Sequence, residues 1–127
     1  MYRISKQFTF DAAHQLFGLP EGHQCGRLHG HTYRVEVVIE ADSLTAEGWI
    51  LDFGDLRPIR EYIDNYLDHQ NLNEVLDFQP TAEKLAQHFF DETVAMLDGI
   101  VPGDRRDQIL VSYVRVSETP NNWAEFS

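Results

Sequence analysis

Two segments of the chain alternate apolar and polar residues with a period of two. The first, over residues 2–14, is broken only at Lys6, and its same-face residues are Tyr2, Ile4, Phe8, Phe10, Ala12 and His14. The second, over residues 29–40, places on one face His29, His31, Tyr33, Val35, Val37 and Ile39. Such alternation predicts β-strands with one buried face.

The rest of the chain supplies two helices and further strands. Apolar residues at helical spacing predict amphipathic helices over 54–67 and 81–97, with Asp55 and Thr81 as the N-caps. Residues 109–118 predict a third strand, and 122–126 a short fourth one. This order predicts an α+β fold in which two helices cover one face of an antiparallel sheet.

Composition excludes several classes of partner. We expect the 127 residues to form a single domain, 1–127, and the formal net charge of -11 argues against nucleic acid and anionic membranes. There is no long apolar stretch and only one cysteine, which favours a soluble, cytoplasmic protein. To bind a polyphosphorylated substrate, the protein would need basic residues, such as Arg27 or Lys6, that make the electrostatic potential locally positive.

Three histidines are candidates for a metal site. His29 and His31 project from one strand face, a spacing suited to a single ion, although two unrelated histidines give the same pattern. His14 ends the first strand on its apolar face. If the two strands pair, the three imidazoles converge on a site with an open fourth position, as in catalytic zinc sites. Spacing alone leaves the pairing open.

Cys25 precedes His29 by four residues and is followed closely by Arg27. It is interpreted in three ways: an inert buried thiol, a reactive thiolate acting as base or nucleophile, or a fourth metal ligand that closes the site.

Two further groups carry candidate chemistry. Asp68 and His69 follow the first helix, where they are either helix-terminal residues or a proton shuttle. Glu118 ends an apolar strand and is either a solvated edge carboxylate or an acceptor for the edge of an amidine-like heterocycle. His23 and His88 are expected to be solvated.

Five segments together resemble the signatures of the 6-pyruvoyl-tetrahydropterin synthase and QueD family. They occur in the family's order along nearly the whole chain: Phe10–His14, Cys25–Tyr33, Leu67–Asn73, Pro80–Glu83 and Glu118–Pro120. The resemblance implies the tunnelling fold, a four-stranded antiparallel sheet with two helices on one face in ββααββ order. It also implies trimers whose sheets close into a barrel, stacked as a hexamer with active sites between subunits.

The resemblance implies a role for each candidate residue. The zinc ligands are His14, His29 and His31. The proton acceptor is Cys25, the relay is Asp68 with His69, and the pterin anchor is Glu118. The other implied substrate contacts are Arg27 and Thr81.

The spacing between Cys25 and His29 resembles the 6-carboxytetrahydropterin synthase branch. The implied reaction is a carbon–carbon lyase reaction in queuosine (7-deazaguanine) biosynthesis. It converts 7,8-dihydroneopterin triphosphate to 6-carboxy-5,6,7,8-tetrahydropterin, with loss of acetaldehyde and triphosphate. Two alternatives are a pyruvoyl-forming synthase, which keeps the side chain, and a non-catalytic zinc- or pterin-binding module. Residues 99–108 depart from the family by being longer and more charged than a compact member needs.

Overall fold

The structure, a computed structural model, describes residues 1–127. Four antiparallel strands form one sheet in the order β1-β2-β3-β4. Their bounds are Tyr2–His14, His29–Ala41, Ile109–Thr119 and Asn122–Phe126. The four predicted strands are therefore confirmed to within a residue at each end.

The first predicted helix is a composite of three short segments. A 3₁₀ turn over Phe53–Leu56 leads into α1, Arg57–Tyr62, which continues as a π-turn over Ile63–Leu67. The N-cap prediction was wrong: Asp52 accepts the Gly54 N–H at 2.9 Å. Asp55 instead reaches back to accept the Asp52 N–H, completing a capping box.

The second predicted helix is α3, Ala82–Ile100, which ends three residues later than expected. Thr81 is its N-cap, as predicted, and accepts the Lys84 N–H at 3.2 Å. Between them lies a short helix, α2, Leu72–Val75, which was not among the predicted helices. It is capped by Asn71, whose side chain accepts the Asn73 N–H.

The core lies between the helices and one face of the sheet. Twenty-four buried apolar residues form a single cluster, in which Tyr33 of β2 stacks on Phe10 of β1. Phe89 of α3 reaches the same aromatic group. Burial of this amount of apolar surface is the main stabilising contribution, at roughly 25 cal/mol per Å².

Residues 99–108 form a fixed connection and not a loose loop. Arg105 donates to the carbonyls of Ile50 and Ser43, and Arg106 pairs with Asp98 at 2.7 Å. The extra charges in this stretch therefore tie it back to the rest of the fold. No helix in the structure has the length and hydropathy needed to cross a membrane.

The outer edge of β1 is covered from Thr9 onward, where the Arg60 side chain donates to the Thr9 carbonyl at 3.0 Å. The His69 N–H donates to the Asp11 carbonyl at 2.6 Å, and the Ala13 N–H donates to the Gln70 carbonyl at 2.9 Å. The chain after the π-turn thus runs beside the end of β1, which places Asp68 and His69 next to the strand that carries His14.

Candidate functional site

The register of β1 and β2 brings the three predicted histidines together. His14 is the direct partner of His29, and Ala12 is the partner of His31. Their ligand atoms all lie within 4.8 Å of one another. The strand pairing that spacing left open is therefore the one that assembles the cluster.

Main-chain carbonyls orient two of the rings. The His14 Nδ1 lies 2.8 Å from the Pro80 carbonyl, and the His29 Nδ1 lies 2.7 Å from the Arg27 carbonyl. A carbonyl can only accept, so in each neutral ring Nδ1 carries the proton and Nε2 keeps its lone pair. These two Nε2 atoms lie 3.0 Å apart. Two acceptors this close are suited to a cation between them.

Burial decides which cation suits the cluster. His14 is 1% exposed, and burial lowers its pKa and that of His31 below their usual range, against the opposing charge of Glu118. A proton on His14 or His31 is therefore disfavoured here. The His31 Nε2 is buried and has no hydrogen-bond partner, which leaves a third ring nitrogen available to a cation.

The residues present fit a bound metal ion. Three imidazole nitrogens are typical zinc ligands, and tetrahedral zinc with bonds of 2.0–2.1 Å separates them by about 3.3 Å. The Nδ1–carbonyl contacts supply the outer hydrogen bonds that such ligands use. Glu118 lies beside the cluster, 3.6 Å from His31 Nε2 and 3.9 Å from His14 Nε2. The predicted ligands thus form a candidate metal site.

Asp68 and His69 form a bonded pair. The His69 Nδ1 lies 2.9 Å from Asp68 Oδ2, although adjacent side chains usually diverge. The other carboxylate oxygen, Oδ1, accepts the Asp11 N–H at 3.0 Å. That hydrogen bond, followed by the contact with His69, lowers the pKa of the Asp68 carboxyl. Asp68 is therefore an anion that contacts Nδ1 of an exposed imidazole.

The backbone of His69 explains the contact. Its φ is +60°, in the left-handed region that non-glycine residues rarely adopt, and His69 is the one such residue in the chain. This turn folds its ring back towards Asp68. The Asp11 carboxylate, which accepts the Thr32 hydroxyl, lies within 4.8 Å of both. Asp11 lies in the Phe10–His14 segment, and the resemblance implied no role for it.

The remaining predicted residues surround the cluster from other sides. Glu118 and Thr81 line one pocket of about 290 Å³, while His31 and His69 line another of about 560 Å³. Arg27 lines a third pocket, formed by the β1–β2 connection. Within a single chain, the predicted substrate-contacting residues and His69 of the relay therefore line three different pockets.

Cys25 is half-buried in a 3₁₀ turn, Gln24–Gly26. Its N–H donates to His23 Nδ1 at 3.1 Å, and its carbonyl accepts the Leu16 N–H at 3.0 Å. Cys25 is not in the group of ligand atoms formed by the three histidines. The geometry in one chain therefore gives no support to a fourth, closing thiolate ligand.

His88 corrects one expectation. It was predicted to be solvated, but it is half-buried and its Nε2 lies 2.6 Å from the Tyr62 hydroxyl. Burial lowers the pKa of His88 and raises the pKa of Tyr62 to about 12, so both groups are neutral near pH 7. The pair links α1 to α3 and is a packing feature. His23 is exposed, as predicted.

Known proteins resemble this chain both in sequence and in fold. The sequence profile described as 6-pyruvoyl tetrahydropterin synthase matches residues 3–127. The 6-carboxy-5,6,7,8-tetrahydropterin synthase of Haemophilus influenzae is 31% identical, and the match covers 99% of each chain. The dihydroneopterin monophosphate aldolase of Pyrococcus furiosus is 37% identical over 84 residues, covering 66% of this chain and 68% of that protein.

A solved structure shares the fold. The 6-pyruvoyl tetrahydropterin synthase of Caenorhabditis elegans superimposes with a TM-score of 0.77 at 21% identity, covering 99% of this chain and 94% of that chain. The predicted four-stranded tunnelling fold is confirmed. From the profile match over nearly its whole length, this chain belongs to the 6-pyruvoyl tetrahydropterin synthase family.

Proposed function

We propose that this protein is a zinc-dependent 6-carboxy-5,6,7,8-tetrahydropterin synthase, serving queuosine (7-deazaguanine) biosynthesis. Its substrate would be 7,8-dihydroneopterin triphosphate, which with water gives 6-carboxytetrahydropterin, acetaldehyde and triphosphate. The observation that carries the proposal is the three-histidine cluster with the Glu118 carboxylate beside it, in a chain of this family. The full-length match to a relative of this name supports the choice within the family.

The proposed metal and its neighbours divide the chemistry. A zinc ion at the cluster would polarise oxygens of the substrate's side chain and favour loss of a proton from the adjacent carbon. Glu118 is 29% exposed in its side chain and accepts no hydrogen bond from the protein, so it can accept two from a pterin edge. Thr81 lies in the same pocket, although its hydroxyl already caps α3.

Proton transfer is assigned to Cys25 and to the pair of Asp68 and His69. Cys25 as thiolate would accept the proton. Asp68 keeps the proton of His69 on Nδ1, so that Nε2 faces outward and can take up or return a proton.

Assembly is part of the proposal. We infer a hexamer of two trimers, because β1 is an edge strand with an open outer edge before residue 9 and β4 is the other edge. Such pairing would bring a second copy's groups to each histidine cluster. Sedimentation equilibrium tests it, since a stable monomer at micromolar concentration would contradict both the assembly and shared sites.

Product analysis tests the reaction. Purified protein is incubated with 7,8-dihydroneopterin triphosphate, and pterin products and released aldehyde are identified by mass spectrometry. The proposal predicts 6-carboxytetrahydropterin and acetaldehyde in equal amounts. A pterin that has lost triphosphate but kept its three-carbon side chain would assign the pyruvoyl reaction instead. Parallel incubation with dihydroneopterin monophosphate tests the aldolase activity named for the Pyrococcus relative.

A further inference from the structure

The β1–β2 loop, residues 15–28, forms a pocket of about 300 Å³ beside the histidine cluster. It shares Leu16 with the pocket that contains Glu118, so the two are neighbours. The Arg27 carbonyl, which orients His29, belongs to the same loop. A ligand anchored at Glu118 can therefore extend past Leu16 into this loop pocket.

Arg27 is an unpaired cation in this pocket. Its side chain is exposed and makes no ion pair or hydrogen bond in the chain. By contrast, four other arginines pair with carboxylates, namely Arg3, Arg60, Arg106 and Arg115. The chain has a net charge of -11, and yet no carboxylate pairs with this guanidinium beside the candidate site. It is therefore suited to an anionic group of a ligand.

His23 adds a directed donor. Its Nδ1 accepts the Cys25 N–H at 3.1 Å, so the neutral ring carries its proton on Nε2. Because Nδ1 is occupied by this inward contact, Nε2–H is left as a donor for a ligand. His23 and Arg27 line the same pocket, and both are exposed.

The turn that carries His23 leaves main-chain donors free. The His23 N–H donates to the Pro20 carbonyl at 3.1 Å, and Gly22 between them has φ of +81°. The N–H groups of Gly18 and Gly22 donate no hydrogen bond within the chain, and neither glycine has a side chain to cover them. Glu21 is the one carboxylate lining the pocket and opposes an anion there.

We propose that the loop pocket is the subsite for the triphosphate of the substrate, with Arg27 and His23 as the side chains that bind the phosphates. This assignment rests on the proposed function and extends it, because it gives His23 a role and places the phosphate chain in the pocket next to the one that contains Glu118 and Thr81. Arg27 forms charge-assisted hydrogen bonds to phosphate oxygens. His23 contributes one further donor.

Calorimetry with inorganic tripolyphosphate tests the subsite without turnover. Excess magnesium is present so that the probe does not strip a metal, and metal content is measured before and after. Arg27→Ala should weaken tripolyphosphate binding roughly 10- to 100-fold, and His23→Ala about 2- to 10-fold. Glu21→Gln should strengthen it by removing a like charge. Arg57→Ala, an exposed arginine on α1 without a side-chain partner, is the matched control and should bind as wild type does.

Phosphate-dependent kinetics supply the second arm. Arg27→Ala and His23→Ala should raise the KM for dihydroneopterin triphosphate, yet leave the binding of 7,8-dihydroneopterin, which has no phosphate, within about twofold of wild type. Equal tripolyphosphate affinity in wild type, Arg27→Ala and His23→Ala would overturn the assignment, as would absence of binding to wild type. If wild type binds tripolyphosphate but makes no carboxypterin, the proposed function fails while the subsite stands.

Discussion

The histidine cluster and the Asp68–His69 pair are two ionisable sites built in opposite ways. The cluster rests on the register of two long strands, and burial lowers the pKa of His14 and His31 so that they stay neutral. The pair rests on a turn with one left-handed residue, and hydrogen bonds lower the pKa of Asp68 so that it stays charged. One site is suited to holding a cation, and the other to moving a proton.

Removing one ligand of the cluster should have the largest effect. We expect His31→Ala to lose bound zinc, because a two-imidazole remnant holds the ion weakly, and turnover to fall by roughly 10³-fold. Metal analysis of the purified variant measures the loss. His88→Gln, which removes a half-buried histidine outside the cluster, should keep one zinc per chain. Full metal retention in single alanine variants of all three predicted ligands would refute the site.

The Cys25→Ala variant tests whether the thiol acts as a base or as a metal ligand. If the thiolate is a base, turnover should fall on the order of 10²-fold while zinc and pterin binding persist. If it is a ligand, zinc or stability should fall together with activity. Metal content and steady-state rates of the same preparation decide between them. Substrate should also protect Cys25 from alkylation. Normal turnover would remove Cys25 from the chemistry.

Substitution of Asp68 or His69 should lower the turnover rate without loss of the bound metal. We expect His69→Ala to lose about 10²-fold or more in kcat, and Asp68→Asn to lose less, because the asparagine still contacts the ring but carries no charge. Both variants should retain zinc, since neither residue is in the histidine group. Zinc loss in either one would show that the two sites are a single unit.

Acid should act on the two sites in separate pH ranges. Buried neutral histidines with lowered pKa values stabilise the fold above the unfolded value of about 6.5, and this contribution is lost as pH falls below it. The lowered pKa of Asp68 gives stability that is lost only below about 3.9. Urea unfolding of metal-free protein from pH 8 to 3 measures both losses. Asp68→Asn should change only the lower range.

The smallest expected effect is on the backbone of His69. In most positions Ala is more stable than Gly, but at φ of +60° the order should reverse, with His69→Gly more stable than His69→Ala by about 1 kcal/mol. Denaturant unfolding of the two variants measures the difference. A more stable alanine variant would show that this turn relaxes without strain.

Alternation predicted much of this molecule because strands obey a strict period. Both long strands, the shared face of His29 and His31 and the Thr81 cap follow from local patterns, whereas the pairing that brings His14 to them does not. The contact between Asp68 and His69 does not, because it depends on a left-handed φ that a histidine gives no reason to expect. The burial of His88 depends on Tyr62, 26 positions away. The Asp52 cap was missed because Asp55, three residues on, fits the same rule.

The candidate ligands come from two strands joined by the fourteen-residue loop that follows His14. A metal ion bound to His14 and His29 therefore joins the two ends of that loop in the folded chain, and its binding offsets part of the entropy lost when the loop closes. Metal that binds only the folded chain stabilises it by mass action, in proportion to the logarithm of the free concentration. The ion would thus act as a staple that fixes strand register. A slip of one residue between β1 and β2 would turn His14 to the other face of the sheet, so that metal binding would select the correctly paired hairpin during folding.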